Sequence, residues 1–401
     1  MSERREPAEW SGPEWSENLS KLAPVAERLV GLLGAPEDPL ARQETYRMML
    51  SAIVGGYLGL VYNDPDYPEW VPMLGSALNF AAPVPDFTYT YAPIRGDGTY
   101  RITGHRGTSL FAVLTVSETY FTRTENPKPG LANYDVDDLT ISEDGCFEVI
   151  LSAERPSGHE GDWWYLDPRA TNLAVRHAMY DWLNEVDPRM TIERLDVPAA
   201  RPRASARELS ARMEEIAQWV DYGIRRWLVH VADSRDKGIV NRLEVNDYSG
   251  FTGSSWPQIY LEGLFEIAED EALIIETEVP ETVRYWSFML ADDRFATVDW
   301  THRQSSLNAH QARLDADGRF RAVVAFRDPG IPNWLDTGGH LQGVIQGRWN
   351  QASSAPHPSL TRVPVAEVRE HLPRDTPVVT PEERERVLRE RRRGAQMRRK
   401  W

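Results

Sequence analysis

The side chains best able to do chemistry gather in one stretch of the chain. Asp299, Trp300, His302, Arg303, Asn308, His310, Asn333, Trp334, Asp336, His340, Arg348 and Trp349 follow one another there. At its centre, Asp336 and Thr337 can hydrogen-bond their own backbone, and Gly338 and Gly339 permit a positive φ. Such a glycine-flanked polar loop holds an Asp and a Trp in fixed geometry. Read as a site, it carries Trp334 and Asp336 to a pocket mouth, beside Arg303 and Arg348 from neighbouring strands. Arginine grips a carboxylate, sulfate or phosphate, and Trp offers a stacking face. The catalytic candidates are His302, Asp336 and His340. The ligand-binding candidates are Arg303, Asn308, Trp334, Arg348 and Trp286. An Asp336 paired with Arg303 stays ionised, as base or orienting group, which leaves His302 as the better proton donor. Read as structure alone, the same loop is a well-made turn with Trp334 anchored in the core.

Other chemistries lack their residues. His302, His310 and His340 include no pair at the i, i+2 or i, i+4 spacing of a strand or helix ligand pair, so no metal is expected. No Ser sits in a Gly-x-Ser-x-Gly elbow, and residues 250–255 do not fit that pattern. No glycine-rich phosphate loop is present, so no nucleotide or other cofactor is expected. Cys146 is the single cysteine, which excludes an intramolecular disulfide and a thiolate zinc cluster. A formal charge of -16 disfavours nucleic acid as a partner. A composition of 41% hydrophobic and 10% aromatic residues can bury a sizeable core.

The elements that must position these residues are mainly β. Residues 1–63 read as a pair of N-terminal helices, the first closed by 34–36 and the second opened by Asp38 or Pro39. The apolar run 48–62 is interrupted by Gly55, Gly56 and Gly59. It is shorter than the roughly twenty residues of a membrane span, and its glycines allow a neighbour to approach closely. From 64 to 167, short runs at 99–103, 110–116, 119–122 and 146–151 between turn signals indicate an antiparallel sandwich. Residues 168–239 read as a helical bridge: Leu173, His177 and Tyr180 have helical spacing, and Ser205 with Glu208 forms a capping box for a helix over 205–232. Period two resumes over 240–350 as a second sandwich. Residues 351–401 are an extension whose basic end, 382–401, has almost no apolar stripe. It is therefore expected to be dispensable for folding. The fold class is α+β, mainly β: two antiparallel sandwich or jelly-roll-like units bridged by helices.

Several segments carry a family resemblance. They are Tyr285-Trp-Ser287, Arg303-Gln-Ser-Ser-Leu-Asn308, and Pro332-Asn-Trp-Leu-Asp-Thr-Gly-Gly339 running into Gly347-Arg-Trp349. Upstream, Tyr100-Arg-Ile-Thr-Gly104, Asp144-Gly-Cys-Phe-Glu148 and Trp163-Trp-Tyr-Leu-Asp-Pro168 fit the same pattern. The chain resembles the bacterial domain of unknown function 1214, with an N-terminal part similar to its companion, domain 1254. The resemblance spans about 64–350 and implies two β-rich units bridged by helices. It carries no established activity, so it transfers no catalytic residue.

The charged first twenty residues do not form a secretory signal, and a cytoplasmic location is expected. The functional expectation is a protein acting on a small apolar or glycosidic metabolite at the C-terminal sandwich. The competing reading is a non-catalytic ligand-binding or self-assembly module, which would make the partner a small molecule or a second copy of the chain.

Overall fold

The structure, a computed structural model, describes residues 14–33, 36–246, 248 and 257–398. Residues 34 and 35 of the expected helix stop, residues 250–255 and the last three residues of the basic end lie outside the described residues. Among the described residues three helices come first: α1 (Trp15–Ser20), α2 (Ala23–Gly31) and α3 (Pro39–Gly56), the last continuing into a π-helical turn at Tyr57–Tyr62. Asp38 caps α3 by accepting from the Leu40 amide at 3.0 Å, and Pro39 occupies its first turn. The glycines do admit a neighbour. A Cβ on Gly59 would lie 2.9 Å from the Trp219 indole of α5 (Ile216–Asp236).

Among the described residues eighteen strands follow, and they form one motif twice. The first sandwich comprises β1 (Val71–Leu74), β2 (Phe87–Pro93), β3 (Tyr100–His105), β4 (Phe111–Ser117), β5 (Ala132–Asp135), β6 (Cys146–Ser152), β7 (Asp162–Tyr165), β8 (Asn172–Ala178) and β9 (Arg189–Arg194). The second comprises β10 (Glu244–Asn246), β11 (Gln258–Glu266), β12 (Glu271–Thr277), β13 (Val283–Asp292), β14 (Ser306–Asn308), β15 (Phe320–Ala325), β16 (Trp334–Asp336), β17 (Gln342–Ala352) and β18 (Ser359–Pro364). Sheet order β1-β2-β8-β4-β5 is repeated as β10-β11-β17-β13-β14, and β7-β6-β3-β9 as β16-β15-β12-β18. Even the parallel pair recurs, β6 with β7 and β15 with β16. Helix α4 (Ala206–Glu214), capped by the Ser205–Glu208 box, and α5 link the two sandwiches.

Each sandwich has its own core, Ile102, Leu114, Val149 and Leu173 in the first and Leu261, Phe288, Val324 and Ile345 in the second. A third core lies between them. There Phe87, Tyr89 and Ala174 of the first five-stranded sheet share a cluster with Leu264, Met289 and Val344 of the second, closed by Trp219, Ile224 and Trp227 of α5. Both five-stranded sheets are therefore covered on both faces. This explains the first correction to the sequence reading. Residues 169–185 hold the central strand β8 rather than a helix, because a strand buried on both sides loses the period-two signal and Leu173, Val175 and Ala178 are all inaccessible. The first sandwich thus extends to β9 and the second to β18, past the expected limits at 167 and 350.

The second correction concerns the basic end, which forms α6 (Pro381–Met397), opened by a Thr380–Glu383 capping box. Arg384, Arg391 and Arg398 recur every seven residues, close to two helical turns, and all three are buried. Arg384 donates to Asp328 at 2.8 Å and to Gln304 at 2.7 Å and covers the Trp334 ring. Arg391 donates to the Trp300 carbonyl at 2.8 Å and lies 4.5 Å over Trp182. Arg398 donates to the Pro85 and Asp86 carbonyls, both at 2.8 Å. The helix thus docks by guanidinium groups rather than by an apolar stripe, a mode that hydrophobic patterning does not register. Among the described residues, no helix is long and apolar enough to cross a membrane.

Removing residues 382–401 should accordingly lower the melting temperature. Arg391→Ala should cost about 2–4 kcal/mol, since it leaves buried acceptors unmatched. Arg386→Ala, at an exposed pair with Glu390, should stay within about 0.5 kcal/mol. Thermal melts of the three variants test this, and equal effects at Arg391 and Arg386 would refute the docking.

Candidate functional site

The duplicated register sets two arginines at matching points. In β8 Arg176 faces Tyr89 of β2, and in β17 Arg348 faces Tyr260 of β11. Both arginines line a cavity of about 120 Å³ between the sandwiches, walled by Phe87, Tyr89, Tyr120, Phe121, Trp227 and Phe295. That volume is of the order that holds a benzene-sized ring. Arg348 is 2% exposed and stacks over Tyr260 at 5.5 Å. Its Nη2 donates to Gln346 Oε1, but among the described residues Nε and Nη1 have no hydrogen-bond partner. Arg176 Nη1 donates to Thr115 Oγ1 at 3.0 Å. Among the described residues neither guanidinium forms an ion pair.

A buried polar chain fixes Arg348. Glu262 lies 2.5 Å from His230 Nε2 and accepts from Tyr248, from Gln346 Nε2 at 2.6 Å and from Asn246 at 3.2 Å. Burial pushes the Glu262 carboxyl up, but His230, Tyr248 and Gln346 outweigh it and leave it below the ordinary range. Tyr248 is raised well above the usual phenol by burial and then by Glu262, so it remains a neutral donor. With its nitrogen committed to Glu262, Gln346 must turn its oxygen toward Arg348. The chain from His230 through Glu262 and Gln346 therefore orients the guanidinium.

Backbone strain gathers at the same wall. Ala81, Ala82 and Phe295 have φ of 63°, 43° and 64°, although none is glycine, and all three line the cavity. The Ala82 amide donates to the Phe295 carbonyl at 2.8 Å, and the Phe295 ring stacks on Trp227 at 4.6 Å. Non-glycine residues persist in this region only where the surroundings impose it, and such residues concentrate at ligand sites.

Of the candidates named from the sequence, Arg348 alone lines this cavity. His302, Arg303 and His340 meet elsewhere, in an open groove of about 840 Å³ beside α3. There His302 Nδ1 lies 2.8 Å from the Asp299 carboxylate, and Arg303 donates to the buried Asp336 at 3.1 Å. Asp336 also accepts from the Gly338 amide at 2.8 Å, forming the glycine turn. Trp334 is in the core, its indole donating to the Ala325 carbonyl at 3.0 Å. Trp286 packs against Trp349 inside the second sandwich. Asn308 is fully buried and donates to Asp86 at 2.6 Å and to the Tyr180 carbonyl at 3.0 Å. Arg176, Tyr248 and Glu262 were not among the candidates. The signal for Arg176 and Glu262 is a charged side chain inside a largely apolar strand.

Two tandem sandwiches that flank an aromatic, arginine-bearing cavity define the class: a duplicated β-sandwich protein with a small cavity at the junction. The family supported is the one described as protein of unknown function (DUF1214), whose model matches residues 88–181 and 268–345, one segment in each sandwich. A putative uncharacterized protein from Burkholderia cenocepacia has a similar structure, at TM-score 0.80 and 28% identity over 88% of this chain and 97% of that one. A protein from Vibrio parahaemolyticus aligns more loosely, at TM-score 0.45 and 11% identity over 79% of this chain and 98% of that one. No curated protein matches the chain.

Because the folded Glu262 carboxyl lies below its unfolded value, it stabilises the protein at neutral pH. That contribution is lost as pH falls through the folded value. Glu262→Gln should therefore flatten the acid limb of a stability-versus-pH curve below about pH 4.5. It should also lower stability at pH 7 by about 3 kcal/mol, because His230 loses its carboxylate. Denaturant melts from pH 3 to 7 check both, and an unchanged acid limb would refute the assignment.

Proposed function

We propose that this protein binds a small, largely apolar ring compound bearing a carboxylate, held in the cavity between the two sandwiches. One observation carries the reading: Arg348 is buried beside the cavity, and among the described residues two of its guanidinium nitrogens have no hydrogen-bond partner. A buried cation without a counter-ion costs several kcal/mol, and an entering anion offsets that cost. The ring requirement follows from the walls, where Phe87, Tyr89, Tyr120, Trp227 and Phe295 supply edges and faces for a flat apolar body. The strained Ala81–Ala82 and Phe295 backbone supports a preorganised chamber. Of the two functions anticipated from the sequence, this favours ligand binding over catalysis, and it moves the site from the Asp336 loop to the junction. Asp336, paired with Arg303 and with the Gly338 amide, is then a turn-forming residue of the second sandwich.

Benzoate is a suitable probe, with Trp227 as an intrinsic fluorophore. The wild-type protein should bind it saturably by calorimetry, and Arg348→Met should weaken binding by about 10- to 100-fold while keeping the circular dichroism spectrum. Absence of binding to the wild type, or equal affinity for the Arg348→Met protein, would overturn the proposal.

A further inference from the structure

The cavity holds a second cation that a monocarboxylate leaves unmatched. Arg176 is the counterpart of Arg348 in the first sandwich, each on the central strand of a five-stranded sheet and each opposite a tyrosine. Both line the same chamber. Both also act on one phenol: burial pushes Tyr89 up to about 12, while Arg348 and Arg176 pull it down. The Glu262 carboxylate is committed to His230, Tyr248 and Gln346. Among the described residues the Arg176 guanidinium donates to the neutral Thr115 hydroxyl, which itself donates to Asn133 at 2.8 Å. Two guanidinium groups, Arg348 buried and Arg176 half-buried, thus line one cavity, and among the described residues no carboxylate pairs with either. One negative group in that space leaves a cation–cation repulsion in place, whereas two remove it.

We propose that the natural ligand is a dianion, an apolar dicarboxylate that spans the junction with one carboxylate on Arg348 and the other on Arg176. This rests on the anion-binding reading given above and narrows it to a ligand class. The duplication supplies the mechanism of recognition, because each sandwich contributes one arginine from an equivalent strand position. The ligand then bridges the two halves, and selectivity arises from the separation between its two carboxylates.

Calorimetry with benzoate and with benzene-1,2-, 1,3- and 1,4-dicarboxylate tests the inference on the full chain. At least one diacid should bind about tenfold or more tighter than benzoate. Arg176→Met should bring the ratio of diacid to benzoate affinity to about one, and Arg176→Lys should restore part of it. Thermal melts establish that each variant is folded before binding is read. Benzoate binding as tightly as every diacid, or an Arg176→Met protein that keeps the diacid advantage, overturns the dianion inference and leaves the Arg348 reading standing. Failure of benzoate and all three diacids to bind overturns both.

Discussion

The Asp86 carboxylate, fully buried where the two sandwiches and the last helix meet, is the interaction on which the assembly depends. It accepts from the Trp182 indole at 2.8 Å, from the Tyr285 hydroxyl at 2.7 Å and from Asn308 at 2.6 Å. Its backbone carbonyl accepts from the Met179 amide at 3.0 Å and from Arg398 at 2.8 Å. Trp182 belongs to the first sandwich, Tyr285 and Asn308 to the second, and Arg398 follows α6. Burial raises the Asp86 carboxyl against the pull of Tyr285, Asn308 and Arg398. One desolvated group thus joins three parts of the chain far apart in sequence. Removing any donor leaves an unmatched acceptor in a region that water does not reach.

From that junction follows the double burial of the five-stranded sheets, and from double burial the chamber. Two outer sheet faces brought together cannot interdigitate everywhere, and α5 fills one side with Trp219 and Trp227. Divergence between the repeats then shapes what remains. Glu262 and Tyr91 occupy equivalent positions, two residues beyond Tyr260 and Tyr89. In the second sandwich the carboxylate organises His230, Tyr248 and Gln346. In the first, Tyr91 packs on Tyr120 at 4.9 Å and on Trp219. The same backbone therefore presents a polar orienting network at one end of the junction and an aromatic wall at the other.

Helix α6 shows how charge can take the place of a hydrophobic face. Arg384 and Arg391 on the helix and Arg398 just after it meet carbonyls, amides and Asp328, and the first two also lie over indole rings. Burial, partly opposed by Asp86 and Asp299, lowers the Arg391 guanidinium to about 10, so it remains charged at neutral pH. Along the helix the grip passes from the second sandwich at Arg384 to the first at Arg398, which makes α6 a strap across the junction.

The sequence by itself determined the local elements and the class. Asp38–Pro39 and the Ser205–Glu208 box opened helices where expected, glycine-bearing turns separated the strands, and the Gly338–Gly339 turn formed with positive φ at both residues. These features rest on backbone conformation and short-range hydrogen bonds, which a few neighbouring residues specify. Residues whose meaning depends on distant partners were not legible. β8 resembled a helix because a second sheet covers its other face, and Arg391 resembled a solvated charge because its acceptors lie at Trp300 and Ser306. Asn308 resembled a ligand contact until Asp86 appeared beside it, and Arg176 and Arg348 gained a common purpose only when the repeats closed on each other. Tertiary structure decided these cases because burial and pairing belong to the space between segments, and a one-dimensional pattern records only which side chains are available to fill it.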